Sequence, residues 1–528
     1  MNRKELIAQA LSALGEMEEG LEDGPTTLLL PCGGRRVLVR VEKAGDRLKL
    51  TTGRVFRRTV EVPLGGPCPA LDLSLQNKER NGCAVEKNLT LEQLERFEQA
   101  FDRDPAKRVA MRAVTANGVV KSAADPEAVW KDRHQFSVSL EQGKITNQKQ
   151  SGRCWMFAAL NTMRFAVMKK LDLETFELSQ NYTLFYDKLE KSNYFLESVL
   201  ETLDQPVNGR LVSYLLSAPL NDGGQWDMFV NLIEKYGVAP KDAMPETACS
   251  SATREINNYL TKKLREFACQ LRTGFEAGQS PEELRGRKEE MLQTIYHMLC
   301  IALGKPPRTF TFEVRNKNKA FFREEGLTGT DFFQKYVGWD LSQYVSLINA
   351  PTKDKPYHKT YTVKFLGNVK EGRPVKYLNL PIEDLKAAAI RQLQGGQPVW
   401  FGCDVGQFSL REGGVLDQDA LRADELFGTS FGMDKAQRLD YGESLMTHAM
   451  VFQGVNLDEN GKPDRWRVEN SWGPDAGAGG YYVMSDKWFS EFTYQVVVDK
   501  KYLTEEQREE LDQAPIALEP WDPMGSLA

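Results

Sequence analysis

Cys154 combines two features that a nucleophilic thiol needs, a helix start and a nearby amide side chain. Residues 155–170 contain no Gly or Pro, are rich in helix formers and end in two lysines, which predicts a buried helix beginning at Cys154. The dipole and unpaired N–H groups of a helix N-terminus stabilise a negative sulfur, and a partner imidazole should lower the thiol pKa further. Gln148 lies six residues earlier. A cysteine taken alone is usually a small core residue, so the assignment depends on finding its partners.

One of the four histidines is well placed to be the base. His297 lies on the face of a predicted helix, and His134 and His358 lie in polar, turn-like segments. His448 begins the strand-like run H-A-M-V-F-Q-G-V, so its side chain should emerge at the end of a sheet. That rigid position suits a general base.

A second strand-like segment ends at Asn470, followed by Ser471 and Trp472. An asparagine carbonyl can accept the second ring N–H of an imidazole and fix its tautomer, and an indole beside it excludes water. Asn470 taken alone would more often cap a turn. Together with Cys154 and His448 it completes the side chains that thiol catalysis requires.

Composition indicates a multidomain globular chain without a membrane span. The 528 residues suggest about three domains, and 41% apolar with 27% charged residues allows an ample core. No apolar run approaches 18 residues, and the N-terminus has no signal-peptide core, which predicts a cytoplasmic location and no membrane partner.

Cysteine spacing and net charge limit which cofactors and partners the chain is expected to have. The eight cysteines are scattered and lack C-x-x-C spacing, which argues against a disulfide framework and a zinc site. We expect no metal and no organic cofactor. A formal charge of −6 gives no electrostatic reason to expect nucleic acid as the main partner.

Three blocks, G-R-C-W-M-F, T-H-A-M and E-N-S-W-G in that order, resemble the catalytic blocks of papain-like cysteine peptidases. Two positions depart from the family signature: its upstream cysteine is Ser151 here, and Arg153 replaces a small residue. Loss of that cysteine removes a disulfide partner. The separation of Cys154 and His448 is roughly twice the ~130–150 residues of papain-like enzymes, which indicates a large insertion.

The span from about residue 89 to the end resembles the bleomycin hydrolase and aminopeptidase C family more closely. The matching blocks include D-P-A-K-R-V-A-M, T-N-Q-K-Q-S-G-R-C-W-M-F, P-E-T-A-C-S-S-A-T-R-E-I-N-N-Y-L and the ending E-P-W-D-P-M-G-S-L-A. The resemblance implies a papain-like core, a hook of inserted helices that builds a hexameric ring, and a C-terminal arm in the cleft. It also implies a cytoplasmic cysteine aminopeptidase acting on peptides, with bleomycin-hydrolase-like amidase potential.

The resemblance assigns roles to individual side chains. His448 takes the proton of Cys154, Asn470 orients the imidazole, and Gln148 with the Cys154 backbone N–H stabilises the oxyanion. The segment N-D-G-G resembles the strand that pairs with the substrate main chain in this family, which gives that part to Gly223 and Gly224. Trp472 lines the same substrate site.

The last residues predict an arm that is docked. They are rich in proline and have no helix or strand period, as in a disordered tail. An ordinary disordered tail is polar, whereas this one carries Ile516, Leu518, Trp521, Met524 and Leu527. In a cleft of fixed register such an arm blocks the non-primed subsites, and the carboxylate of Ala528 offers a counter-charge to a substrate α-ammonium.

The expected fold is α+β, a two-lobed papain-like core with a large, mainly helical insertion and a small N-terminal α+β extension. The expected parts are 1–88 as an extension of unknown role, 89–248 as the helical lobe with the nucleophile, 249–395 as the inserted hook, 396–500 as the β lobe with His448 and Asn470, and 501–528 as the arm.

Two other functions remain open at this point. The first is a nucleic-acid-binding oligomeric ring with secondary peptidase activity, which the resemblance permits and the acidic net charge disfavours. The second is a peptidase-like scaffold without activity, which the presence of all four catalytic side chains disfavours.

Overall fold

The computed structural model describes residues 88–127, 134–140 and 143–527 in full, and the backbone of four strands between residues 26 and 63. Contacts divide the chain into two compact units, 1–97 and 98–528. The amphipathic start M-N-R-K-E-L-I-A-Q-A-L predicts a helix, and both this segment and the Ala528 carboxylate lie outside the described residues.

The first unit contains hairpins, which its alternating apolar and polar residues and the turn signals G-G and A-G-D predict. Its strands are β1 (Thr26–Cys32), β2 (Arg35–Ala44), β3 (Arg47–Thr52) and β4 (Arg58–Pro63). Each pairs antiparallel with the next, for example with Thr26 opposite Val41 in β1 and β2. The extension is therefore a four-stranded meander where its backbone is described.

Among the described residues before the nucleophile there are three helices, α1 (Leu91–Asp102), α2 (Pro105–Asn117) and α3 (Val119–Ala123). Thr90 and Gln93 form a reciprocal capping box at the start of α1, with backbone-to-side-chain distances of 2.8 and 3.1 Å. Asp104 caps α2 by accepting from the N–H groups of Ala106 and Lys107. A short strand, β5 (Val138–Ser139), follows.

The nucleophile-bearing lobe is helical. Its helices are α4 (Cys154–Leu171), α5 (Gln180–Leu200), α6 (Arg210–Ser217) and α7 (Trp226–Tyr236). The predicted helix beginning at Cys154 is confirmed as α4. Thirteen of its eighteen residues are buried, because its sequence is apolar on nearly every side and a helix of this kind must lie inside the core.

The segment that separates this lobe from His448 begins with helices. They are α8 (Ala248–Ser251), α9 (Arg254–Glu276) and α10 (Pro281–Leu303). The apolar residues of α9 recur at steps of three and four, which predicts an amphipathic helix, and Leu260, Leu264 and Leu271 of this stripe are buried. The spacing of Ser280 and Glu283 predicts a capping box at the start of α10, and it is present, with distances of 2.7 and 3.2 Å.

The same segment then becomes mixed, as strand-like alternation in the stretches T-F-T-F-E-V and Y-T-V-K-F-L predicts. It contains the hairpin β6 (Phe310–Arg315) and β7 (Phe321–Leu327), helix α11 (Gly329–Phe332), strands β8 (Tyr344–Ile348), β9 (Lys359–Val363) and β10 (Tyr377–Asn379), and helix α12 (Ile382–Gln394).

The remaining elements belong mainly to the β lobe. They are β11 (Val399–Cys403), β12 (Ser409–Leu410), β13 (Val415–Leu416), α13 (Ala423–Phe427), α14 (Lys435–Asp440), β14 (His448–Leu457), β15 (Pro463–Glu469), β16 (Tyr481–Ser485), α15 (Asp486–Phe492), β17 (Thr493–Asp499), α16 (Glu505–Glu510) and β18 (Ile516–Leu518).

A twelve-stranded sheet organises the second unit. Its order is β12-β13-β16-β15-β14-β11-β17-β8-β10-β9-β18, and β5 pairs with β14 outside this path. The central strands are apolar on both sides because both sheet faces are covered. Ala449 and Val451 of β14 share a core with α4, whereas Met450 and Phe452 pack in the core on the other face, with residues of α12 and α15. This alternation places the start of β14 beside the start of α4.

The structure agrees with the expected α+β class and the papain-like two-lobed core. Among the described residues, no helix is both long enough and apolar enough to cross a lipid bilayer.

Candidate active site

Cys154 is the first residue of α4 and is 3% exposed. Arg153 at the N-cap makes no side-chain hydrogen bond to the first turn, so the N–H groups there stay open. Burial raises the pKa of the thiol to about 11, although hydrogen bonds from the backbone of Ala449, Trp155 and Cys154 itself oppose the rise. The expected low thiol pKa is therefore wrong for the free enzyme, because desolvation outweighs the helix N-terminus.

His448 begins β14 and is buried beside Asn470. Its Nε2 lies 3.0 Å from Oδ1 of Asn470, and the Ser471 N–H donates to the same oxygen at 2.7 Å. With the carbonyl oxygen at Nε2, that nitrogen carries the proton and Nδ1 is left as the acceptor. The Cys154 sulfur contacts the backbone N–H of Ala449, the residue after His448.

Burial, opposed by the hydrogen bond to Asn470 and aided by the positive charge of Arg411, lowers the pKa of His448 to about 4. Burial thus disfavours either ion alone. Moving the proton from sulfur to imidazole creates both ions together, and each then becomes the main stabilising charge of the other. The ionised pair therefore forms as a unit.

Trp472 covers the imidazole. Its ring centroid lies 4.9 Å from that of His448, with the two planes 35° apart. Trp472 also contacts Arg411, whose guanidinium carbon lies 4.5 Å from the indole centroid. The structure therefore puts Trp472 where an indole would shield the His448–Asn470 hydrogen bond from water.

Gln148 is 6% exposed and is held from three directions. Its N–H donates to the carbonyl of Ser471 at 2.8 Å, its Oε1 accepts from Ser471 Oγ at 2.6 Å, and its Nε2 donates to the carbonyl of Ser151 at 2.6 Å. One hydrogen of Nε2 remains for an oxyanion. Gln150, the other upstream glutamine, is exposed and is tied by its backbone to Ser251.

Gly223 and Gly224 lie in the loop before α7. A Cβ on Gly224 would come within 2.6 Å of the Trp155 ring, so the close packing against α4 requires glycine there. Lys191 donates to the carbonyl of Gly223 at 2.6 Å and pairs with Asp187 at 2.8 Å.

Asp222 joins this glycine loop to the nucleophile loop, a role that the sequence did not reveal. Its carboxylate accepts from the Gly152 N–H at 2.9 Å and from Lys188 at 2.6 Å, and its carbonyl accepts from Trp155 Nε1 at 2.6 Å. Burial favours a higher pKa for Asp222, yet the Lys188 ammonium, with hydrogen bonds from Thr253 and others, holds that pKa well below its usual range. The feature of the sequence that could have indicated this role is the position of Asp222 directly before Gly223.

Arg153 anchors the nucleophile loop, which lacks the family's upstream cysteine. The buried guanidinium donates to both oxygens of Glu246 at 3.1 and 2.8 Å, and its Nε donates to Ser151 Oγ at 2.9 Å. The two positions that depart from the signature therefore contact each other. A bidentate ion pair anchors the loop in this chain.

The C-terminal arm is docked, as its apolar side chains predict. β18 pairs in parallel with β9, Tyr377 donates to the carbonyl of Met524 at 3.1 Å, and Gln225 Nε2 donates to the carbonyl of Ser526 at 2.6 Å. Gln225 directly follows Gly224, so the described end of the arm lies beside the glycine loop. Leu527 lines a cavity of about 150 Å³ there.

Among the residues that the structure describes, no cluster of three or more His, Cys, Asp or Glu side chains is arranged to hold a metal ion. The five described cysteines, Cys154, Cys249, Cys269, Cys300 and Cys403, are free thiols.

A buried thiol, an imidazole oriented by an amide, and an amide donor beside the thiol can together carry out acyl transfer through a thioester. Comparisons agree with this chemistry. Residues 88–525 match the model of the Peptidase C1-like family. Aminopeptidase C of Listeria monocytogenes is 50% identical over 444 residues, which cover 84% of this chain and 100% of the relative. Human bleomycin hydrolase is 43% identical over 439 residues, covering 81% and 96%.

A solved structure gives the same result. The crystal structure of PepW from Lactobacillus rhamnosis matches with a TM-score of 0.82 and 50% identity, covering 84% of this chain and 100% of that chain. Matches of this extent confirm the resemblance that the motifs around Cys154 indicated. The chain therefore belongs to the Peptidase C1-like family, among the papain-like enzymes that include Aminopeptidase C and bleomycin hydrolase.

Proposed function

We propose that this protein is a cytoplasmic cysteine aminopeptidase that removes N-terminal residues from peptides, with bleomycin-hydrolase-like amidase potential. Family membership and relatives named Aminopeptidase C support the class of enzyme. The observation that carries the exopeptidase assignment is the arm, whose Ser526 carbonyl accepts from Gln225 beside the glycine loop. An endopeptidase needs that part of the cleft for substrate residues.

The mechanism follows from the groups around Cys154. His448 takes the thiol proton as the sulfur attacks the first peptide carbonyl, and the Gln148 amide with the Cys154 N–H receives the oxyanion. The imidazolium then protonates the leaving amine, and a thioester forms. Water activated by His448 hydrolyses the thioester and regenerates the thiol. Asn470 keeps the imidazole oriented throughout.

Substrate orientation follows from the glycine loop and the arm. The main chain of the first residue pairs with Gly223 and Gly224, and the arm, residues 501–528, fills the subsites that lie beyond it. The carboxylate of Ala528, outside the described residues, pairs with the substrate α-ammonium. A free N-terminus is then the only part of a peptide that fits this end of the cleft. Its ammonium group also meets an opposite charge there.

Deleting residues 526–528 should change selectivity as well as rate. Hydrolysis of alanyl-aminomethylcoumarin should fall, because the counter-charge is gone, while hydrolysis of its N-acetyl derivative should rise from near zero as the subsites open. The measurement is the ratio of kcat/KM for the two substrates. Glu519→Gln is the matched control, because it breaks an exposed arm contact, the 2.6 Å pair with Lys364, and should leave the ratio unchanged. An unchanged ratio in the truncated enzyme would reduce the arm to a structural strut.

We also propose that segment 249–395 acts as the hook that assembles six chains into a ring. The family supports this proposal, and the segment supplies the long helices α9 and α10. Multi-angle light scattering at micromolar concentration should give about six times the mass of one chain. A monomer at that concentration would contradict the proposal.

A further inference from the structure

Arg411 is a charged side chain next to the catalytic groups that the mechanism above does not use. It lies in the exposed loop between β12 and β13, and its carbonyl accepts from the Gly477 N–H at 3.2 Å. Its guanidinium lies over Trp472, which in turn covers His448. Two ring contacts therefore connect this cation to the imidazole.

The guanidinium has no counter-charge within the described part of the chain. Among the residues that the structure describes, Arg411 forms no ion pair and no side-chain hydrogen bond, unlike Arg153, Arg164 and Arg438. Stacking on an indole fixes the plane of a guanidinium while its edge N–H groups remain able to bind a planar anion in bidentate fashion. Its field reaches the site, because it contributes to the lowered pKa of His448.

The position of Arg411 corresponds to the leaving side of the cleft. The arm and Gln225 mark the side that receives the substrate N-terminus. His448 must protonate the leaving amine, so the leaving peptide passes over the imidazole and Trp472. An extended chain advances about 3.3–3.6 Å per residue, so the first one or two leaving residues come within reach of a guanidinium stacked on that indole.

We propose that Arg411 is a specificity-determining residue that selects substrates with a carboxylate directly after the scissile bond. This inference rests on the aminopeptidase function proposed above. The carboxylate has two chemical sources, an acidic side chain on the first leaving residue or the free C-terminus of a dipeptide. Either presents the same planar anion to the guanidinium. A purely structural role, in which Arg411 only covers Trp472, makes no distinction between charged and neutral leaving groups.

Two substrate pairs separate these possibilities in the full-length enzyme. The first compares Ala-Glu-NH₂ with its neutral isostere Ala-Gln-NH₂, and the second compares Ala-Ala with Ala-Ala-NH₂. The readout is the ratio of kcat/KM within each pair. We expect the wild-type enzyme to prefer the charged member by roughly threefold to fivefold in at least one pair, as for one solvent-exposed charge pair. The preference should lie in KM and should shrink as salt is added.

Arg411→Gln should bring the ratio close to one, and Arg411→Lys should keep part of it, since the charge remains while the fork is lost. Arg315→Gln is the matched control, because Arg315 is also exposed and stacked on an aromatic ring, Phe321, at 5.2 Å in the β6–β7 hairpin. It should keep the wild-type ratio.

Each other outcome overturns the inference. Equal rates on both members of both pairs for the wild-type enzyme, equal ratios for wild type and Arg411→Gln, or the same loss in Arg315→Gln would all remove Arg411 as a selector. These results would leave the aminopeptidase assignment intact. Absence of turnover on every substrate, including alanyl-aminomethylcoumarin, would instead remove the proposed function and this inference with it.

Discussion

Replacing Cys154 with serine should lower kcat/KM for alanyl-aminomethylcoumarin by roughly four orders of magnitude or more, the scale seen when an enzyme loses its nucleophile. Serine is nearly isosteric, so the buried first turn of α4 should keep its packing while losing the atom that forms the thioester. His448→Gln should have a comparable effect, because His448 is the base assigned to accept the thiol proton. Asn470→Ala should be milder, since water can replace an orienting group in part.

The control for this experiment is another thiol in the same chain. Cys269 is an exposed cysteine on α9, so Cys269→Ser should retain wild-type turnover. Iodoacetamide should inactivate the wild-type and Cys269→Ser enzymes alike. A Cys154→Ser enzyme that kept a tenth of wild-type kcat/KM would disprove the nucleophile assignment. Circular dichroism and light scattering should match the wild-type enzyme, which distinguishes lost chemistry from lost structure.

Glu469→Ala should be the most destabilising of the substitutions considered, by about 3–5 kcal/mol, because it leaves a buried guanidinium without its partner. Glu469 pairs with Arg164 at 2.7 Å, and both side chains are buried. It also accepts from Asn161 at 2.9 Å and from Gln453 at 2.8 Å. Arg164 and Asn161 belong to α4, and Glu469 directly precedes Asn470, so this pair joins the nucleophile helix to the strand that ends at the orienting amide.

The measurement is the midpoint of urea unfolding at one fixed protein concentration, so that any assembly contributes equally to all variants. Glu266→Ala is the matched control, because the Lys263–Glu266 pair has a similar length of 2.7 Å but is exposed. It should leave the midpoint unchanged. The double variant Arg164→Met/Glu469→Leu should recover much of the loss, because it removes both charges. An effect of Glu469→Ala no larger than that of Glu266→Ala would contradict the argument.

Local patterns in the sequence predicted local structure well. The helix starting at Cys154, the capping box of Ser280 and Glu283, and the stripe of α9 all depend on residues a few positions apart, where helix geometry fixes which side chains meet. The strand beginning at His448 followed from its apolar run. The family motifs supplied what spacing could not, the pairing of segments that are far apart in the chain.

Long-range polar contacts escaped the sequence analysis. Nothing in the spacing of Asp222 and Gly152, or of Arg153 and Glu246, indicates that these groups meet, since each contact depends on how separate helices and loops pack. The thiol pKa was predicted with the wrong sign for a related reason. A helix N-terminus can be recognised in a sequence, whereas the depth of Cys154 below the surface is a property of the whole fold.

The pairing of β18 with β9 gives the C-terminal arm a second consequence, concerning solubility. β18 is the last strand of the twelve-stranded sheet, and it covers the hydrogen-bonding edge of β9 along Tyr361, Thr362 and Val363. An uncovered edge is a template on which another chain can add a strand, which is how sheets begin to aggregate. A chain truncated after Gly525 keeps this edge covered, whereas a truncation that removes every residue from Ile516 onward exposes it. Residues 516–528 therefore affect both selectivity and solubility, and the length of the deletion decides which of the two is lost.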